Sequence, residues 1–262
     1  MRNQPTEPGH PELPLLSLVI PCHNEELNLR ILVSRIRETV DPLQLPYEII
    51  FTDDCSTDNS WALLKELVAG DQRLWAQRFA SNCGQSAALW SGLKAAQGKY
   101  LATLDADLQN DPKDLPKMLA ALKDADCVCG TRVQARQKGD TILRILSSRI
   151  ANQVRNGLSG EQISDSGCCY RIFRRECIAN LKFFDGMHRF LPTLFRYEGF
   201  TIVEIPVRHH PRFMGHSHYG VWNRLFTAGY DLLAVCWMKK RMIHFQIAET
   251  IIPAPANRPP VA

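Results

Sequence analysis

Between residues 15 and 130 short apolar runs alternate with helical patterns, and the runs stop on polar, often acidic residues. No other feature of the sequence constrains the fold as much. LLSLVI (15–20), YEIIFTD (47–53), RLWAQRF (73–79), YLATLD (100–105) and ADCVCG (125–130) have strand length, and helical patterns separate them. Strands alternating with helices at this spacing predict a mostly parallel sheet with helices on both faces, an α/β architecture. Ligands of such sheets gather beyond the carboxyl ends of the strands. The polar clusters fall there, at 21–26, 53–58, 105–109 and 131–132.

The first helix opens at Asn24-Glu25-Glu26 and sets Leu29, Leu32, Val33 and Ile36 on one face. The second carries Trp61, Leu64, Leu67 and Val68, and a third, over 84–96, is rich in small residues and suits close packing on a sheet. Asp111-Pro112 with Asp114 marks a fourth start, with Asp111 as cap and proline where its missing N–H costs nothing. After Gly130 the rhythm changes. A helix is expected over 140–158, a strand at CCYRIF (168–173), helical turns near 175–180 and 187–197, a strand at 201–210, and an amphipathic or membrane-facing helix over 219–245. Residues 1–14 read as a disordered leader, not a signal peptide, 15–218 as the main domain, 219–247 as a helical appendage, and 248–262 as a proline-rich tail.

The 31 Lys and Arg against 27 Asp and Glu give a formal charge of +4, too slight to imply a nucleic-acid partner. Nine cysteines, an odd number without C-x-x-C spacing, read as reduced space-filling residues in a cytoplasmic chain. Cys127 and Cys129, two apart in a strand, should share a face. No apolar stretch reaches spanning length; the nearest, 225–238, carries Asp231.

Asp105-Ala106-Asp107 puts two carboxylates at the end of one apolar strand, with Gln109 close behind. One reading is an ordinary polar turn. The other is an oxygen-rich site for Mg2+ or Mn2+ in which substrate phosphates complete the shell, since carboxylates this close repel without a cation. The second cluster, 53–58, offers Asp53 to a base or ribose and Asp54 to phosphates or metal, while Ser56, Thr57 and Asp58 also read as helix caps. Neither G-x-G-x-x-G nor G-x-x-x-x-G-K-[ST] is present, which disfavours dinucleotide and P-loop sites. The turn at Pro21, His23 and Glu25 suits sugar and base hydroxyls better than bare phosphate. The 208–218 segment holds half of the histidines with Arg208 and Arg212; anion contact, zinc and a solvated loop all fit, and arginine's match to phosphate favours the first. Arg132, Arg144, Ser148 and Arg212 together suit a phosphate cradle, whereas Arg149 and Arg155 read as a solvated helix face.

In order along the chain, VIPCHNEELNL, TDDCSTDNS, NCGQSAALWSGLKAAQGKY, DADLQNDP, GTR, the Arg144/Ser148 helix, SDSGCCYRIFRR, GMHRFLP and R-x-x-G-x-S-x-Y-G resemble the family 2 glycosyltransferases of nucleotide-sugar (GT-A) fold, specifically the polyprenyl-phosphate branch. The resemblance covers about 16–220. It implies that Pro21, His23, Glu25 and Asp53, with Asp54 nearby, line a nucleoside pocket, and that Asp105, Asp107 and Gln109 bind Mg2+ or Mn2+. Arg132, Arg144, Ser148 and Arg212 would hold the lipid-phosphate acceptor, with Asp165, Ser166 and Gly167 as a shortened acceptor motif. Asp107, Arg132 and Arg212 are the expected catalytic set, and Ser217 a further contact. His23 replaces a common aromatic, and Ser217-His218 replaces Ser-Lys, so a fixed charge becomes titratable.

The implied reaction moves a sugar from a GDP- or UDP-linked donor to a dolichyl or undecaprenyl phosphate, with inversion. A non-polyprenyl glycan, lipid or protein acceptor and a non-catalytic nucleotide-sugar scaffold are the competing readings. Many relatives of this branch carry spanning helices after the catalytic domain. In the 219–245 segment Trp222, Leu225, Phe226, Leu232, Leu233, Val235, Trp237 and Met238 precede Lys239-Lys240-Arg241. Peripheral contact with the cytoplasmic membrane face, packing on the core, and docking to a small membrane partner all fit that pattern.

Overall fold

A computed structural model describes residues 13–133, 152–211, 221–243 and Glu249. Seven strands form one sheet: β1 (Leu16–Cys22), β2 (Tyr47–Asp53), β3 (Leu74–Arg78), β4 (Tyr100–Thr103), β5 (Cys127–Thr131), β6 (Arg171–Arg174) and β7 (Ile202–Pro206), in the order β3-β2-β1-β4-β6-β5-β7. β1 pairs in parallel with β2 and β4, β2 with β3, and β5 with β7. β6 runs antiparallel to both β4 and β5 and separates them. The sequence rhythm predicts the parallel strands but not this insertion. Its consequence is local: the amino end of β6 lies at the edge where the other strands have their carboxyl ends.

Among the described residues the helices are α1 (Glu26–Val40), α2 (Ser60–Gly70), α3 (Gln85–Ala95), α4 (Leu115–Ala121), α5 (Leu191–Tyr197) and α6 (Val221–Arg241), with a further helical stretch over 152–159. Alternate strand residues feed two cores. Leu16, Leu18, Ile20, Ile49 and Phe51 pack with Leu29, Leu32, Val33 and Ile36 of α1, whereas Val19 and Ile50 pack with Leu89 and Leu93 of α3 on the other face. That division is the two-residue period of a strand buried on both sides. Close packing of α3 depends on Gly92, where a Cβ would sit 2.6 Å from Val19 Cγ1.

Asp111 does cap its helix, accepting from Lys113 N at 3.0 Å, but the first turn (Pro112–Asp114) is a 3₁₀ turn leading into α4. Cys127 and Cys129 share a face, their sulfurs 3.8 Å apart, and all nine cysteines are free thiols. The expectation of a solvated Arg155 is overturned. Arg155 is buried, donating to Arg189 O at 3.1 Å and Thr193 Oγ1 at 2.9 Å, with its guanidinium 5.0 Å from the Phe190 ring centre. Its stretch is covered by α5 and the turn before it, a tertiary contact that helical spacing does not reveal. Arg149 lies outside the described residues.

Candidate active site

The loops after β1 and β2 are laced together by side chains. Asn24, at φ 57°, accepts from Thr57 N at 2.8 Å and Asp58 N at 3.3 Å, while its own N–H donates to Ser56 Oγ at 2.9 Å. Glu25 N donates to Ser60 Oγ, Glu26 N to Asp58 Oδ2, and Asn59 N to Glu26 Oε2. Each loop thus caps the other's helix, satisfying amides that a helix start leaves open. Glu25 Oε2 accepts from Asn28 Nδ2 at 2.6 Å. His23 Nδ1 lies 2.8 Å from the Asp54 carbonyl, which only accepts, so that nitrogen carries the proton and donates. Pro21, half-buried, pairs with Thr52 across the sheet.

Asp53 has no exposed surface. Its carboxylate accepts from Ser56 N and Ser56 Oγ and pairs with Arg78 Nε at 3.0 Å. Asp54 accepts from Cys83 N at 2.6 Å and Gly84 N at 2.8 Å, and so fixes the loop entering α3. Each Asp54 oxygen keeps a second lone pair, so a ribose or base donor can add to these bonds without breaking them. Arg78 is a residue the sequence reading missed. As the last residue of β3 it occupies the ligand edge, and that position was the available signal.

Asp105 and Asp107 follow β4 in a turn. Leu108 is left-handed there (φ 61°), and Asp107 Oδ1 accepts from Gln109 N at 3.1 Å, the two-residue turn that aspartate side chains favour. The far side of the turn is pinned by Gln109 O, which accepts from His210 N, and by the Asn110–His209 bridge. Asp105 Oδ1 accepts from Gln85 Nε2 at 3.0 Å, and its Oδ2 meets the Cys169 thiol at 2.6 Å. Burial, and next the neighbouring Asp107 carboxylate, push the Asp105 carboxyl above its usual range. Burial and then Asp105 push the Cys169 thiol up, which keeps it a donor. The turn thus brings Asp105 and Asp107 to the end of β4 with Gln109 two residues on, the oxygen-donor chemistry that Mg2+ or Mn2+ prefers. Among the described residues no group of three or more His, Cys, Asp or Glu forms a closed metal cluster.

Two buried arginines, Arg132 and Arg171, lie near enough for their charges to act on Asp105. Arg132, directly after β5, is buried and grips Asp165 through Nε at 2.7 Å, Nη2 at 2.9 Å and its backbone N–H at 3.0 Å. A side chain at Gly167 would meet Arg132 Nη2 at 3.2 Å, so this segment lies close against the guanidinium. Arg171, the first residue of β6, is only 2% exposed and donates to His188 O at 2.9 Å and Ser166 O at 3.4 Å. Burial, then the charge of Arg171, draws Arg155 down to about 10. Cys169 and Arg171 reach this region because β6 is antiparallel, which is also why the sequence reading missed them. Its strand ran through both, and they actually flank its start.

Of the segment expected to contact an anion, Arg208 N donates to Asp114 Oδ2 at 2.6 Å, and the Arg208 guanidinium and His210 Nε2 lie 3.7 and 3.2 Å from Asp111 Oδ2. Arg144, Ser148, Arg212 and Ser217 lie outside the described residues.

Known proteins share both fold and sequence with this chain. A glucosyl-3-phosphoglycerate synthase from Mycobacterium tuberculosis, solved with Mn2+, UDP and phosphoglyceric acid, superposes with a TM-score of 0.59 at 19% identity, over 86% of this chain and 78% of that one. A mannosyltransferase from Pyrobaculum calidifontis in complex with GDP-Man and Mn2+ does so at 0.57 and 17%, over 87% and 64%. These likenesses establish the GT-A fold. In sequence, a dodecaprenyl-phosphate galacturonate synthase of Rhizobium johnstonii is 35% identical over 238 residues, 88% of this chain and 70% of that protein. An undecaprenyl-phosphate 4-deoxy-4-formamido-L-arabinose transferase of Aeromonas hydrophila is 34% identical over 223 residues, 85% and 68% respectively. Residues 17–181, spanning the laced loops, the acidic turn and the Arg132–Asp165 pair, match the family model described as glycosyl transferase family 2, and to that family the chain belongs.

Proposed function

We propose that this glycosyltransferase moves a sugar from a nucleoside-diphosphate sugar, GDP- or UDP-linked, to a polyprenyl phosphate. The observation that carries the reading is the nearness of an acidic turn, Asp105 and Asp107, to two buried cations, Arg132 and Arg171, whose charges act on the Asp105 carboxyl. The acidic side suits a cation-bound diphosphate, and the basic side suits an acceptor that is already an anion. The names of the Rhizobium and Aeromonas relatives support the same acceptor class.

A phosphate-oxygen nucleophile needs no strong general base. Its oxygen bonds to the anomeric carbon as the bond from that carbon to the diphosphate oxygen breaks, so positioning and charge compensation supply the rate. A divalent ion held by Asp105, Asp107 and Gln109 would neutralise charge on the departing diphosphate. Pro21, His23 and Glu25 form the nucleoside end, with Asp53 and Asp54 behind them setting the Arg78 and Cys83–Gly84 walls. Arg132, held by Asp165, would supply positive charge on the acceptor side, with Arg144, Ser148, Arg212 and Ser217 assigned to the same anions.

The test is transfer of label from a panel of GDP-, UDP- and dTDP-sugars into the organic phase with undecaprenyl phosphate and Mn2+. Asp107→Ala should lower turnover about a thousandfold, the scale of several kcal/mol of lost charge stabilisation. No organic-phase product from any donor rejects the acceptor class, and equal turnover by the variant rejects the metal assignment.

A further inference from the structure

Helix α6 divides its side chains between two environments. Inward, Leu232 and Val235 join the core beneath α3 and α5, and Asp231 pairs with Arg189 Nη2 at 2.8 Å. Lys239 Nζ reaches Ser159 O at 3.3 Å and lies over the Tyr197 ring, and Cys236 Sγ contacts Leu158 O at 3.3 Å. These contacts fix the helix's rotation. Outward, Tyr230, Leu233 and Trp237 are 77%, 65% and 62% exposed. Spaced by three and four residues, they form one stripe, which exposed Lys240 and Arg241 continue before Ile243. The neighbouring 152–159 stretch, touched through Leu158 and Ser159, adds exposed Val154 and Leu158.

We infer that this stripe docks on the surface of an anionic phospholipid bilayer. The side-chain chemistry selects that occupant. Tyr and Trp carry an apolar body with a polar tip and settle at the boundary between headgroups and acyl chains, Leu and Ile enter it, and the terminal cations meet anionic headgroups. A second copy packed in parallel on the stripe would oppose cation to cation. Among the described residues no helix is long and apolar enough to cross a membrane, so α6 lies on the surface. The helix is also tied to the active site. Asp231 holds Arg189, and the adjoining His188 Nδ1 is 2.6 Å from Ser86 Oγ, next to the Gln85 that bonds Asp105. The purpose of docking rests on the polyprenyl-phosphate reading, because that acceptor is itself a membrane lipid.

Flotation of the full chain with phosphatidylcholine vesicles, with and without phosphatidylglycerol and containing no polyprenyl phosphate, tests the surface alone. The wild type should float with the anionic vesicles and be released by salt. Leu233→Ser with Trp237→Ser should weaken binding at least about tenfold, and Lys240→Glu with Arg241→Glu should remove the preference for phosphatidylglycerol, each charge being worth about fivefold. All four side chains are exposed, so melting temperatures should hold. Turnover on detergent-dispersed acceptor should be unchanged in the serine pair, while turnover on vesicle-embedded acceptor falls. A wild type that stays unbound, a serine pair that floats equally well, or a solution dimer that the serine pair splits overturns the docking surface. Vesicle binding without sugar transfer sinks the proposed reaction and leaves the surface standing; transfer without vesicle binding does the reverse.

Discussion

The two halves of the sheet handle buried charge in different ways. In the half built from β1 to β4 the charges at the ligand edge are mostly carboxylates, with Arg78 paired to one of them. Asp53 and Asp54 are each satisfied by protein donors, but Asp105 and Asp107 repel one another. In the half built from β5, β6 and α5 three buried guanidiniums, Arg132, Arg155 and Arg171, stand among the buried carboxylates Glu161 and Asp165. Arg132 is matched by a carboxylate, whereas Arg155 and Arg171 are held by carbonyl and hydroxyl oxygens. The contrast bears on where the proposed function places each ligand. Under that proposal the repelling carboxylates would take a cation with its diphosphate, and the guanidiniums an anionic acceptor.

The contrast can be broken most strongly at Arg132. Arg132→Met leaves Asp165 buried without its counter-charge, and losses for one partner of a buried pair run to about 3–5 kcal/mol. Chemical denaturation should give that loss for the single variant and recover at least half of it when Asp165→Leu is added. If the single variant costs under about 1 kcal/mol, the pair behaves as a solvated surface bridge, and Arg132 is not preorganised.

A smaller effect, of opposite sign, is expected across the sheet. In EDTA, Asp105→Asn should melt above the wild type by roughly 0.5–1 kcal/mol, because one of two repelling carboxylates is gone. With Mn2+ the order should reverse, as the wild type gains binding free energy that the variant loses. An unchanged order in both buffers would mean that the turn carries no electrostatic load.

Legibility followed the same division. Every strand from β1 to β5 and the helices α1 and α2 were visible as apolar runs or periodicity, α3 as a small-residue stretch and α4 by its start signal, because each of these signals is local. Asp105, Asp107 and the cap Asp111 were visible because they end or begin such elements. The β6 insertion was not, since strand order is a property of distant pairing: Val128 faces Ile172 across 44 residues. Arg171 and Cys169 therefore looked like strand interior, and Arg155 like helix surface. Arg78 and Ser56 were hidden for another reason. Their importance lies in which carboxylate they touch, and the sequence shows only that they stand near strand ends.

The last difference between the halves is in the backbone. All four described non-glycine residues with positive φ, Asn24, Gln44, Cys55 and Leu108, precede β5, and three of them sit in the loops that follow β1, β2 and β4. After residue 152 the described positive-φ positions are glycines, at 160, 186 and 199. An L side chain in this region costs about 1–2 kcal/mol, and such strain persists where surrounding contacts impose it. At Cys55 (φ 57°) the contacts are weak, a thiol 3.8 Å from Ala80 O. Cys55→Gly relieves the steric cost but adds roughly 0.5–1 kcal/mol of unfolded-chain entropy. The expected net gain is about 0–1.5 kcal/mol in a denaturant titration, with donor affinity unchanged. A loss of donor affinity despite that gain would mean that strain in the Asp53–Asp58 loop helps to shape the nucleoside pocket. The acidic half would then be preorganised through its backbone as well as through its charges.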